Sequence, residues 1–251
     1  MAGGLLQAQS PSSLAIDHGI SLFKSHHYSE AFAQLEPYAR AGYPRAQFTL
    51  GLLYDMGSIG RMDKKRAVQW YRKAADQGLP QAQYDMGVML SKGEGIDKNL
   101  TKALAWYRRA AQAGSVPAMY NLGVANAKGY GTDRNVTRAR IWYEQARQKG
   151  SAKAAYNLGN LYLRGEELLT DPVRALSLYR LAAQRGHIKA ARILGRLYEQ
   201  GMGAPVDLDK AQYWYREAAI NGDKKARKSL ARLLKKEGKN VEADFWRKRS
   251  R

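Results

Sequence analysis

AARILGRLYEQG (Ala190–Gly201) followed by KAQYWYREAAING (Lys210–Gly222) is a pattern that the chain writes five times over. Gly51, Gly87, Gly123, Gly159 and Gly195 stand 36 residues apart, each behind an aliphatic residue or Met: Leu50, Met86, Leu122, Leu158 and Leu194. Four residues before each of these comes an alanine, Ala46, Ala82, Ala118, Ala154 or Ala190, which puts both on one helical face. This is helix A of a two-helix unit.

Helix B repeats as strictly. Ala67, Ala103, Ala139, Ala175 and Ala211 are each followed after four residues by a tyrosine, Tyr71, Tyr107, Tyr143, Tyr179 or Tyr215, and then by Ala74, Ala110, Ala146, Ala182 or Ala218. Trp70, Trp106, Trp142 and Trp214 precede four of the tyrosines, with Leu178 at the fifth place. Asp63, Asn99, Asn135, Asp171 and Asp207 stand four residues before the first alanine, where a short acceptor satisfies free amides of the first turn, worth ~1 kcal/mol each. Gly78, Gly114, Gly150, Gly186 and Gly222 close helix B, because glycine enters the left-handed region past a helix end without strain. The small residues are expected to let helices A and B cross closely, with Tyr and Trp filling the gap to the next unit.

A fixed period of this length is the signature of stacked repeats sharing one elongated core. The expected fold class is all-α, a right-handed α/α superhelix of helical hairpins. Residues 1–13 read as a disordered lead-in or the stub of an export signal, and 14–45 as an N-terminal capping hairpin. Five units follow at 46–81, 82–117, 118–153, 154–189 and 190–225, and basic capping helices at 226–251 end the chain.

The pattern A-x-x-x-L-G-x-x-Y-x-x-G, a Gly-rich loop, then K-A-x-x-W-Y-x-x-A-A-x-x-G resembles the Sel-one-like repeat family, relatives of the tetratricopeptide repeats. Ala154–Gly165 with Ala175–Gly186, and Ala190–Gly201 with Lys210–Gly222, carry the resemblance. Leu178 in place of Trp, Arg147 in place of the second Ala, and Ala231 in place of Gly depart from it. The resemblance implies a non-catalytic adaptor that grips another protein along a concave surface of A helices. By the same resemblance its role is that of an immunity protein neutralising a secreted antibacterial toxin or of a periplasmic regulator, and a periplasmic or exported location is favoured over a cytoplasmic one. The family's cysteine-rich, penicillin-linked branch is set aside, since the chain has no cysteine.

If the A helices face the groove as in tetratricopeptide proteins, one row of candidate partner-binding residues is Phe48, Tyr84, Tyr120, Tyr156, Arg192 and Lys228. A second contains Lys92, Lys128 and Arg164, and Arg196 and Arg232 lie between the rows. Aromatic anchors and forked guanidinium groups suit an apolar segment followed by acidic groups. The competing reading is that the tyrosines pack between adjacent A helices. Reversing the charge of Arg192 and Arg196 together is expected to abolish capture of an acidic partner.

Composition agrees with a partner-binding role. The chain of 251 residues holds 42 Lys and Arg against 22 Asp and Glu, a net charge of +20, and residues 221–251 alone have twelve basic and four acidic side chains. Such a field favours anionic partners: an acidic protein first, and as the alternative an anionic polymer or membrane surface such as polysaccharide, peptidoglycan or nucleic acid. The charged last helices serve equally as a solvated surface. No apolar run nears the roughly 20 residues that span a bilayer. A monomer is expected, without cofactor or small-molecule ligand.

Gly93/Gly95, Gly129/Gly131 and Gly201/Gly203 lie between helices and lack a following Gly-Lys-Ser/Thr, so the phosphate-loop reading fails its context. His18, His26, His27 and His187 show no ligand spacing, His26 and His27 reading as an exposed turn. No nucleophile, base and orienting acid can be assembled.

Overall fold

The computed structural model describes residues 10–165 and 169–250. The export-signal reading falls on residues 1–9, outside the described residues. Fourteen helices and no strand make up the described chain. An opening pair, α1 (Pro11–Lys24) and α2 (Tyr28–Arg40), is followed by A helices α3 (Pro44–Met56), α5 (Pro80–Lys92), α7 (Val116–Lys128), α9 (Ala152–Arg164), α11 (Ile188–Gln200) and α13 (Lys224–Lys236). Between and after them come B helices α4 (Lys64–Asp76), α6 (Leu100–Gln112), α8 (Val136–Gln148), α10 (Pro172–Gln184), α12 (Leu208–Ile220) and the short α14 (Asn240–Lys248). α1 begins at Pro11, inside the stretch expected as a lead-in, because Ser10 caps it and proline suits a first helical position. The architecture is a solenoid of 36-residue helical hairpins. It divides into two compact units, 1–118 and 119–251.

The boundary chemistry falls where the spacing puts it. Asp63, Asn99, Asn135, Asp171 and Asp207 each accept a hydrogen bond from the amide three residues on, at 2.7–2.9 Å. Gly78 and its four counterparts have φ between 81° and 98°, the left-handed region. The Gly-x-Gly loops have a structural explanation. A Cβ at Gly95 would collide with the carbonyl of Lys64, and one at Gly203 with that of Pro172, so the second glycine lets each loop lie on the start of the preceding B helix.

The core shows what the five repeat glycines are for. A Cβ on Gly51 would stand 2.5 Å from the ring of Tyr71, one on Gly87 2.5 Å from Tyr107, one on Gly195 2.7 Å from Tyr215 and one on Gly159 3.0 Å from Tyr179. At Gly123 the same atom would overlap the ring of Tyr143. Each tyrosine ring therefore lies over the glycine of its own hairpin, and the Tyr143 hydroxyl reaches on to Asn157 of the next. Trp70 does bridge hairpins, packing on the cluster of Ile16, Leu35, Ala39, Ala46 and Leu50 from the preceding helices.

α13 and α14 end the chain with one apolar face each. Leu230, Leu233 and Leu234 on α13 and Trp246 on α14 are buried, while Lys225, Lys228, Arg232 and Lys236 are exposed. Among the described residues no helix is long and apolar enough to cross a membrane.

Candidate functional site

The A helices of unit 1 present Phe48 on α3 and Tyr84 and Lys92 on α5. Phe48 and Tyr84 are half-buried, because each ring packs on the B-helix tyrosine of its own hairpin: Phe48 on Tyr71 at 5.6 Å between centroids and Tyr84 on Tyr107 at 5.8 Å. Phe48 also borders an apolar recess of about 460 Å³ with Ile20, Phe23, Leu52 and Leu79. Lys92 is exposed and pairs loosely with Glu94 at 3.5 Å.

Unit 1 also carries acid on this wall, which the rows of candidate residues did not contain. Asp55 of α3 accepts from Lys64 at 2.5 Å and from the Tyr71 hydroxyl at 3.3 Å. The bond to Asp55 raises the Lys64 ammonium, and burial holds the Tyr71 phenol above its ordinary range. Asp85 of α5 is different. Burial, and then the like charge of Asp55, push its carboxyl from 3.8 up to about 6. Folded Asp85 thus keeps its proton between about pH 4 and 6, where the unfolded chain has lost it. Its effect on stability is unfavourable above pH 6 and relieved as the pH falls. Asp85→Asn is therefore expected to be the more stable protein at pH 7.5, by about 3 kcal/mol at most. The gap should close by about pH 4, as paired thermal melts would record.

In unit 2 the A helices present Tyr120 and Lys128 on α7, Tyr156 and Arg164 on α9, Arg192 and Arg196 on α11, and Lys228 and Arg232 on α13. Tyr120 packs on Tyr143 at 6.0 Å and Tyr156 on Tyr179 at 5.9 Å, again inside one hairpin. His187 stacks on Tyr156 at 4.3 Å and caps α11 by accepting from the amide of Ala190, so that histidine has a structural place that its spacing did not reveal. Burial lowers its pKa. Tyr120, Lys128, Arg134, Asn157, Asn160 and Arg164 line a recess of about 250 Å³. The hydroxyl of Tyr179 donates to Asn160 at 2.8 Å, and the Asn157 amide donates to the Tyr143 oxygen at 3.1 Å.

Five of the cations of this face fall into two groups. Arg192 donates to Asp223 at 3.0 Å, with both side chains largely covered, and Arg232 donates to both oxygens of Glu199 at 2.7 and 2.8 Å. Glu199 accepts in addition from Tyr215 at 2.9 Å. Arg192 and Arg232 are thus engaged within the fold. Lys128, Arg196 and Lys228 are exposed and make no ion pair among the described residues. Among those residues there is also no group of three or more His, Cys, Asp or Glu able to hold a metal ion.

A family model described as the Sel1 repeat matches five consecutive segments, residues 44–79, 80–115, 116–151, 152–187 and 188–223. A Sel1 repeat protein of Oxalobacter formigenes is 34% identical, with 94% of this chain and 96% of that one covered and a TM-score of 0.82. The protective antigen c5321 of uropathogenic Escherichia coli, which displays an SLR fold, is 28% identical with a TM-score of 0.91 over 95% of this chain. This chain spans 53% of that protein. The immunity protein PA5088 of Pseudomonas aeruginosa shares the fold at 22% identity and a TM-score of 0.52, with 87% of this chain and 85% of that one covered. Comparison with curated proteins found no match.

Proposed function

This chain belongs to the Sel1 repeat family, a scaffold suited to protein–protein interaction, and from that premise we propose that it is a non-catalytic adaptor that captures a protein with acidic groups. The observation that carries this reading is the set of exposed cations Lys128, Arg196 and Lys228, which make no ion pair among the described residues and stand on the same A-helix faces as the half-buried rings of Tyr120 and Tyr156. Rings supply apolar area at small entropic cost, and exposed cations are available to carboxylates of a partner.

Within protein binding, neutralisation of a secreted toxin is the role we favour, with periplasmic regulation as the other. The likeness to an immunity protein supports the first at the level of fold alone.

The test is to identify the copurifying protein by mass spectrometry and titrate it against wild type and Arg196→Glu/Lys228→Glu. Both positions are exposed and make no ion pair among the described residues, so the variant should melt within about 1 °C of wild type. It should bind the partner at least tenfold more weakly at 0.15 M salt. Unchanged affinity would remove the cationic face from the account. The rival reading, an anionic polymer or membrane surface, is favoured instead if no protein copurifies and the chain binds such a polymer with a steep loss of affinity in salt.

A further inference from the structure

Asp85 of unit 1 is a largely buried carboxylate without a cation among the described residues. Basic side chains outnumber acidic ones 42 to 22 in this chain, and the partly buried acids around the A helices have found partners. Asp55 has Lys64, Glu199 has Arg232, and Asp223 has Arg192. Asp85 makes no hydrogen bond or ion pair among the described residues, and the charge that acts on it is that of Asp55, of its own sign. An ionised carboxylate partly removed from water without a partner destabilises the fold.

The fold itself does not ask for an acid at this place. Asp85 stands two residues before Gly87, and the corresponding positions of the other units hold Thr49, Asn121, Asn157, Ile193 and Ser229. At one of these, Asn157, a neutral amide completes the contact to the B-helix tyrosine. In unit 1 that task falls to Asp55, which accepts from Tyr71. Asp85 is therefore surplus to the packing.

Its surroundings are a recess of about 480 Å³ lined by Phe48, Tyr84, Pro80, Ser115 and Pro117 together with Asp85. Two aromatic side chains and a lone carboxylate in one recess are complementary to a flat cation. We propose that this recess binds the guanidinium group of a partner's arginine side chain, with Asp85 as counter-ion and Phe48 and Tyr84 as the surfaces it lies against. Arginine fits better than lysine because guanidinium is planar, weakly hydrated, stacks on rings and pairs with a carboxylate through two bonds. The inference goes beyond the capture of acidic groups and does not depend on it. A partner that meets both would present charges of both signs.

The experiment titrates the full chain with arginine blocked as N-acetyl-arginine-amide, and with the citrulline and lysine equivalents, following backbone amide resonances by NMR. The arginine probe should saturate in the millimolar range with shifts confined to residues around Asp85 and Ser115. Citrulline and lysine probes should bind at least tenfold and several-fold more weakly, respectively. Asp85→Asn should lose at least tenfold in affinity for the arginine probe while melting no lower than wild type at pH 7.5. Phe48→Leu, which keeps the carboxylate, should lose several-fold. Equal binding of arginine and citrulline, or undiminished binding by Asp85→Asn, would overturn the proposal. A lysine probe as tight as arginine would overturn the guanidinium assignment, and a clear drop in the melting temperature of Asp85→Asn would show the carboxylate to be structural.

Discussion

Gly123→Val is expected to destabilise the protein by about 3 kcal/mol or more, at the upper end of what overpacking a core costs. The first atom of the new side chain would overlap the ring of Tyr143, which is itself buried and bonded to Asn157, so neither side can yield cheaply. Truncating the ring alone, as Tyr143→Ala, should cost about 3–5 kcal/mol through the cavity it leaves. The double variant is the informative one. Because the valine would occupy part of the space the ring vacates, the pair should lose less than the two single losses added together, a coupling that denaturant melts of the four proteins measure. Strict additivity would mean that glycine and ring do not share the space.

The second large effect is Arg192→Glu, expected to cost about 2–4 kcal/mol. It would set a carboxylate against Asp223, whose side chain is largely covered, and leave that acid unpaired. Asp223 also caps α13 by accepting from the amide of Ala226, so loss should concentrate in α13 and α14 and be seen as earlier proteolysis there. For this reason the charge reversal of Arg192 with Arg196 suggested by the sequence would not report on a partner cleanly. Arg196 with Lys228 replaces it. A variant Arg192→Glu that melts like wild type would mean the ion pair contributes nothing.

These two cases mark what could be read from the chain before its structure. The five helix-B caps and closing glycines were legible because capping acts over three or four residues, and Asp171 to Arg174 is as local a relation as a sequence contains. The pairing of ring with glycine was not. In a pattern of period 36, Tyr71 stands at a repeating offset from both Gly51 and Gly87, and periodicity alone gives no reason to choose between them. The structure chooses the glycine of the same hairpin.

The candidate site was half legible for the same reason. The rows of aromatic and basic residues followed from register, and Phe48, Tyr84, Tyr120 and Tyr156 do share a common environment, each on the tyrosine of its own B helix. Which cations are engaged was hidden, since Arg192 meets Asp223 31 residues away and Arg232 meets Glu199 at 33. Asp85 escaped notice because it lies one position from the row that was read. Register marks a face, and only the fold tells which charges on it are already paired.

The most direct measurement is hydroxyl-radical footprinting of the complex with the protein that copurifies. The account predicts that Tyr120 and Tyr156 on the A helices become protected when the partner binds, while Tyr213, exposed on B helix α12, reacts as it does in the free chain. Protection of Tyr213 with Tyr120 and Tyr156 unchanged would place the partner on the B helices and contradict it.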